Sequence, residues 1–381
     1  MIIGVPGEVS TNEHRVPLTP ELGERYVEDG FEVVLTSGAG EAAGWTDTEY
    51  ESVGCTVLDD RSTVFERADI LLQVQAFGSD DDSPENYRDG QIVIGLFDPY
   101  GLDDETAVLA ERNVTAFALE LIPRISRAQS MDALSSMASI GGYKSAVMAA
   151  EQLPKMFPMQ MTAAGTVRPA EVFVIGAGVA GLQAIATAER LGASVRGYDI
   201  RLEVKREVES LGADFVELDL ETEGSGDDEG YAREMDEEFY SQQRKELTRV
   251  VSESDVVITT AAIPGRPAPE LVTTEMIERM NRGSVIIDIS APSGGNCEPT
   301  RAGETVLCHG VSVVGPTNLP STVPRHASEL YANNVTNFLD TLLTETNELS
   351  IDTDDEIIDS TMLTHGGQLR NPHVEDDSDE E

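Results

Sequence analysis

Gly176, Gly178 and Gly181 stand at the spacing GxGxxG, directly after the apolar run EVFVIG and directly before LQAIATAERLG, which has the composition of a good helix. At a strand-to-helix turn each glycine meets a separate demand: a tight turn, close approach of the main chain to a bulky anion, and close packing of helix on strand. The helix behind them offers unpaired N–H groups and the positive end of a dipole, a natural seat for pyrophosphate. A lone GxGxxG is weak evidence. Here the next β-run, SVRGYD, ends in Asp199, 18 residues after Gly181, where an acid receives the adenosine ribose hydroxyls of a dinucleotide. Such an acid repels a 2′-phosphate and so favours NAD over NADP, although Arg201 close by works against that preference. A second glycine cluster, GAGEAAG at 38–44, has the wrong spacing, and the WTDTEYES that follows is too short and polar for a packed crossover helix; it reads as a loop. One dinucleotide is therefore expected.

A nicotinamide enzyme acting on an alcohol or amine also needs a proton acceptor. None of the five histidines has an aspartate at a telling spacing, and no HExxH, GxSxG or Cys/His metal pattern occurs. No metal is expected. The densest polar cluster is instead PRISRAQSMDALSS, Pro123–Ser136. Gln129, Asp132 and Ser135 recur at i, i+3 and i+6, which on a helix places them on one face; Arg124 and Arg127 precede them. Such a set can order an amide and sugar hydroxyls by hydrogen bonding. A capped helix start with surface polar residues has an equal claim on the same pattern.

These residues need a scaffold. MIIGVPGE, FEVVLTSG, CTVLDD, DILLQVQAF, QIVIGLF and VTAFALE are short β-like runs separated by polar helical segments such as Pro20–Asp29 and Asp103–Arg112. A second alternating set, EVFVIG, SVRGYD, ADFVEL, DVVITTA, GSVIIDIS and VSVVG, occupies Val172–Val314. Alternation of this kind predicts parallel sheets with helices on both faces. The expected fold is α/β, two Rossmann-like doubly wound domains. A long helical region near 130–156, with Ile140, Tyr143, Val147 and Met148 at helical spacing, leads into the second. A last helix, His326 to Leu343, carries Leu330, Val335, Phe338, Leu339 and Leu342 and is expected to return to the first domain. The domains are therefore placed at 1–130 plus 318–365, and 131–317, with an acidic tail at 366–381. The acidic, Gly-rich stretch 219–238 reads as a mobile loop, since irregular insertions of about 20 residues in a compact domain tend to be functional.

Composition narrows the class. The chain has 381 residues, no long apolar stretch and no basic-then-apolar leader, so neither direct membrane insertion nor a signal peptide is expected. Three unpaired cysteines point to a reducing cytoplasm. The net charge is −44, and only four of the 26 basic residues are lysines. Self-repulsion on this scale becomes tolerable where the Debye length falls to about 3 Å, near 1 M salt. The charge reads as halophilic adaptation to a high-salt cytoplasm, and it argues against nucleic acid as a partner.

RAQSMDALSS, FPMQMTAAGT, GAGVAGLQAIATAERLGA, YDIR, EGYAREM, TTAAIPGRPAP and NLPSTVPRHASELYANN together resemble the NAD(H)-binding domain I of proton-translocating transhydrogenase, over nearly the whole chain. Alanine dehydrogenase shares the EHRVPLTP opening and is the nearest alternative. That family uses a lysine, a histidine and an aspartate where this chain reads LLQVQAF (Gln73 and Gln75), IGLFDPYG and APSGG (Pro292); Arg15 remains. The resemblance implies that Arg124, Gln129, Asp132 and Ser135 surround the nicotinamide half of NAD(H). It places Gly176, Gly178, Val179 and Gly181 at the pyrophosphate and Asp199 at the ribose. Ile200 and Arg201 of YDIR, Gly230 and Tyr231 of EGYAREM, and Ala261 of TTAAIPG join the cofactor-binding set, with Tyr231 on the mobile loop. It further implies NADP(H) on a partner subunit, hydride transfer between the two nucleotides, a homodimer, and peripheral attachment at the cytoplasmic membrane face through membrane subunits. A non-catalytic NAD-sensing module is the third reading.

Overall fold

The apolar runs become strands because parallel sheets with both faces covered select near-continuous Val, Ile and Leu segments. The computed structural model describes residues 1–76, 84–100, 103–218, 237–263 and 265–370. Two compact units emerge, one of residues 1–137 with 321–381, the other of residues 138–320.

In the first unit, β1 (Ile2–Val5), β2 (Glu32–Thr36), β3 (Thr56–Leu58), β4 (Ile70–Gln75), β5 (Ile92–Leu96) and β6 (Thr115–Ala118) lie parallel in the order β3-β2-β1-β4-β5-β6. The second unit opens with an exposed hairpin, β7 (Gln160–Thr162) and β8 (Gly165–Val167). It continues with β9 (Glu171–Ile175), β10 (Ser194–Tyr198), β11 (Asp214–Phe215), β12 (Val256–Thr259), β13 (Val285–Asp288), β14 (Thr305–Cys308) and β15 (Val311–Val314). Its sheet reads β11-β10-β9-β12-β13-β15, all parallel, with antiparallel β14 on the edge. Both parallel sets follow the doubly wound order 3-2-1-4-5-6, which reverses between the first and fourth strands. Finally β16 (Met362–His365) and β17 (Gln368–Leu369) return antiparallel beside β6.

Three helices bear on the candidate site: α1 (Ala133–Gln152), α2 (Val179–Arg190) and α3 (Pro324–Thr341). On α3, Val335, Phe338, Leu339 and Leu342 are buried as expected. Leu330 is not; it is exposed, and Tyr331 takes the inner face, donating from its hydroxyl to the Gln73 carbonyl at 2.8 Å. On α1, Tyr143 is likewise exposed, and the buried stripe is small: Gly142, Ser145, Ala146 and Ala149. Small residues let this helix approach α2 closely. A Cβ on Gly142 would lie 2.0 Å from the carbonyl oxygen of Ala180.

Three further expectations are corrected. Asp47–Ser52, read as loop, is a short helix, because Thr46 and Glu49 form a capping box and Tyr50 anchors it in the core. The acidic tail does not begin at 366: Gly366 and Gly367 adopt positive φ and turn the chain into β17. The hairpin at 160–167 escaped the pattern because its side chains face water and lack period-two alternation. Most of the expected mobile loop, with Gly230 and Tyr231, lies outside the described residues; 237 and 238 already belong to the helix Glu237–Glu253.

Because the neighbour of Gly142 is main chain, it cannot swing aside. Gly142→Ala is expected to cost about 1–3 kcal/mol, typical of overpacking, and to lower the urea midpoint; an unchanged midpoint would show that the α1–α2 contact relaxes freely.

Candidate functional site

In the second unit β9 ends at Ile175 and the chain turns at Gly176, whose φ of +97° is ready only for glycine. Gly178 caps α2. A Cβ on Gly181 would stand 1.8 Å from the Gly176 carbonyl oxygen, and one on Gly176 2.5 Å from Thr260 Oγ1. Helix, turn and the end of β12 are thus pressed together with no room for side chains. Gly178 differs: a Cβ there would meet nothing within 4 Å. Open space in front of the N-terminus of α2, where Val179 is half exposed, is the cradle a pyrophosphate would fill. The residues present fit a dinucleotide.

Asp199 ends beside this turn and is 5% exposed. Its Oδ2 accepts from the Ala177 N–H at 2.7 Å and from Arg201 Nη2 at 2.9 Å; its Oδ1 accepts from Arg201 N and Nε, both at 2.9 Å. Ile200, between them, is buried. Ala261, past the end of β12, has both main-chain groups engaged. Its N–H donates to Asn296 Oδ1 at 3.0 Å, and its carbonyl accepts from Asn296 Nδ2 and Ser290 Oγ, each at 2.9 Å. It can therefore meet a ligand only through its methyl group.

Asn296 and its neighbour Asp288 were not anticipated. Asp288 is fully buried at the end of β13 and accepts from Thr259, Ser290, Asn296, Cys297 and Thr300, between 2.6 and 3.2 Å. An acid closing an apolar β-run was the signal that marked Asp199, and IIDIS carries it too.

In the first unit the polar cluster is not one helical face. Residues Ser126–Met131 form a 3-10 turn, and Asp132, with ψ of 88°, breaks the chain before α1 begins. The carboxylate of Asp132 accepts from Ser135 N at 2.8 Å and Ser135 Oγ at 2.5 Å, so these two do meet, as a helix cap. Arg124 and Gln129 are exposed, and Gln129 has no side-chain hydrogen bond among the described residues. Arg127 forks onto Asp355 at 2.6 and 2.8 Å and serves as a strut. From α3, Asn334 and Asn337 both donate to the Ser130 carbonyl, at 2.9 and 3.2 Å, which fixes the 3-10 turn.

The strand ends of the same unit hold a buried polar group. Gln73 is fully buried and accepts from the Tyr87 hydroxyl at 2.5 Å. Arg15 pairs with Glu13 through Nε at 2.7 Å and Nη2 at 2.6 Å. Glu120 accepts through Oε1 from Phe97 N and Asp98 N, both at 2.7 Å, while its Oε2 is buried with no hydrogen-bond partner.

Such a site and two such sheets define a dinucleotide-binding protein of the Rossmann class. Comparison with known proteins narrows this. Residues 4–141 match the alanine dehydrogenase/PNT N-terminal domain and residues 145–372 the alanine dehydrogenase/PNT C-terminal domain. The chain is 41% identical over 377 residues to an NAD(P) transhydrogenase alpha subunit of Rhodospirillum rubrum, the first piece of an alpha subunit made in parts, covering 98% of each. It superposes on the crystal structure of transhydrogenase from Sinorhizobium meliloti with a TM-score of 0.87 at 41% identity, covering 97% of this chain and 100% of that one. An L-alanine dehydrogenase structure is more distant, with a TM-score of 0.81 at 25% identity, covering 98% and 97%. The chain belongs to the alanine dehydrogenase/PNT family.

Burial pushes the Glu120 carboxyl up to about 7, against the opposing pull of its main-chain donors. A carboxyl raised above its unfolded value binds more protons in the native state, so stability falls as pH rises between about 4.5 and 7 and levels off above. Glu120→Gln should flatten that decline in urea titrations run from pH 5 to 8; an unaltered decline would assign it to other groups.

Proposed function

We propose that this chain is the NAD(H)-binding component of a proton-translocating transhydrogenase. In this reading hydride passes directly between NAD(H) held here and NADP(H) held by a partner subunit, coupled to proton movement through a membrane subunit. The observation that carries it is Gln73. Where the dehydrogenase branch of the family has a titratable lysine, this chain has a fully buried amide hydrogen-bonded by Tyr87. An amide cannot take up the proton that oxidation of an amine or alcohol releases. Exchange of hydride between two nicotinamides releases no such proton, so no base is needed. The nearer likeness to transhydrogenase than to alanine dehydrogenase supports the same choice.

When bound, the nicotinamide supplies or receives the hydride. The task of this chain is then to place it, with reacting carbons about 3–3.5 Å apart. Gly176, Gly178, Val179 and Gly181 would take the pyrophosphate on the N–H groups of α2, and Asp199 the adenosine ribose. Arg124, Gln129, Asp132 and Ser135 would face the nicotinamide half. Their duties divide: Asp132 and Ser135 hold each other, leaving the exposed Gln129 and Arg124 as the groups able to reach a ligand. Gly230 and Tyr231 would close over the nucleotide.

The remaining parts of the reading concern assembly. The chain would act as a homodimer beside one NADP-binding subunit. It would lie at the cytoplasmic membrane face through its partners, since no described helix is long and apolar enough to cross a bilayer. Its acidity would suit concentrated salt.

Mixed with its NADP-binding partner, the chain should pass hydride from NADH to an NADP analogue; robust NADH formation from L-alanine by the chain alone would support the dehydrogenase reading instead. Gln129→Asn should slow transhydrogenation by at least about ten-fold while NADH affinity changes by less than about three-fold, as expected for an interaction that positions rather than binds. Equal loss of both would remove Gln129 from that role.

A further inference from the structure

The acid expected to receive the ribose has no acceptor position to spare. An ionised carboxylate offers about four lone-pair sites. In Asp199 four donors already occupy them: Ala177 N and Arg201 Nη2 on Oδ2, and Arg201 N and Nε on Oδ1. Two of the four come from the main chain and hold the glycine turn and the start of the following segment, so they cannot leave without disturbing the fold. The other two come from the guanidinium of Arg201, whose side chain is 13% exposed. Ribose hydroxyls reach the carboxylate as donors. They must therefore displace the Arg201 fork.

We infer that Arg201 masks Asp199 and sets how strongly this cradle rejects a 2′-phosphorylated nucleotide. This rests on the dinucleotide reading of the glycine turn and extends it to selectivity. With NADH, the guanidinium gives up its two side-chain bonds to Asp199, and affinity is reduced by the strength of that pairing. With NADPH, the displaced guanidinium stands beside the 2′ position and offers the phosphate the charge-assisted fork it withdrew from the acid. Asp199 repels the phosphate and Arg201 attracts it, two residues apart. The two side chains oppose each other in selectivity as they pair in the free protein.

Three variants separate masking from attraction, each titrated with NADH and with NADPH by protein fluorescence on the full chain at one fixed salt concentration. Arg201→Leu removes both functions: NADH should bind tighter and NADPH weaker, widening the NADH preference by about ten-fold or more, the scale of one charge-assisted hydrogen-bonded pair. Arg201→Lys removes the fork and keeps the charge: NADH should again tighten, with NADPH changed by less than about three-fold. Asp199→Asn should improve NADPH binding by about ten-fold, and Asp199→Asn with Arg201→Leu should lose that gain. Urea midpoints run alongside identify a variant that has failed to fold, and the lysine variant then carries the test. An NADH to NADPH ratio unchanged in Arg201→Leu, or a double variant that keeps the NADPH gain, would overturn the inference while leaving the cradle intact. Failure of the unmodified chain to bind either nucleotide would sink the cradle reading itself.

Discussion

The closest contact the second unit requires is between main chain and main chain. The third glycine of the turn, Gly181, passes the Gly176 carbonyl at a separation that leaves no space for a methyl group. That approach sets the angle at which α2 leaves β9 and hence where its free N–H groups point. Thr260 closes the turn from the other side by donating to the Gly176 carbonyl at 3.2 Å. Thr260 is placed by β12, and Ala261 behind it is tied by Asn296, which is in turn tied to the Asp288 carboxylate. The cradle is therefore one hydrogen-bonded assembly reaching from β9 to β13. Its stiffness comes from buried groups whose partners cannot be lost cheaply.

Charge and chemistry are arranged separately. The acidic residues that give the chain its net charge of −44 are mostly exposed, whereas the buried carboxylates near the strand ends each have a partner set. Asp199 and Glu13 meet arginines, and Asp288 meets five donors. Surface repulsion is screened within a few ångströms in concentrated salt, but the buried pairs are screened much less. A halophilic surface can thus be laid over this fold without altering the electrostatics of the cradle.

Much of this was legible in the residues. Strands buried on both faces must be apolar throughout, so runs such as VFVIG and VIID declare themselves, and the glycine spacing together with Asp199 marks the turn. The failures have physical causes. Ser126–Ser135 looked like one helical face because hydrogen-bonding side chains recur at i+3 in a 3-10 turn as well as in an α-helix; only the ψ of Asp132 separates them. Leu330 and Tyr331 were exchanged because hydrophobicity alone ranks leucine for the core, while the tyrosine hydroxyl finds a carbonyl partner inside. The hairpin at 160–167 has no buried face, and so no pattern. Asn296 was missed because its importance lies in what it holds.

The two asparagines of α3 that grip the Ser130 carbonyl do so across 204 and 207 residues of chain. Between them lies the whole of the second unit, which is continuous from 138 to 320. During synthesis that unit has all its strands before α3 exists, whereas the first unit waits for α3 and for β16. The nucleotide cradle is thus complete early, and the segment bearing Gln129 is pinned last. Long-range closures of this kind are the slow ones, so a ribosome-bound or C-terminally shortened chain would hold a finished cradle while its polar turn was still unanchored.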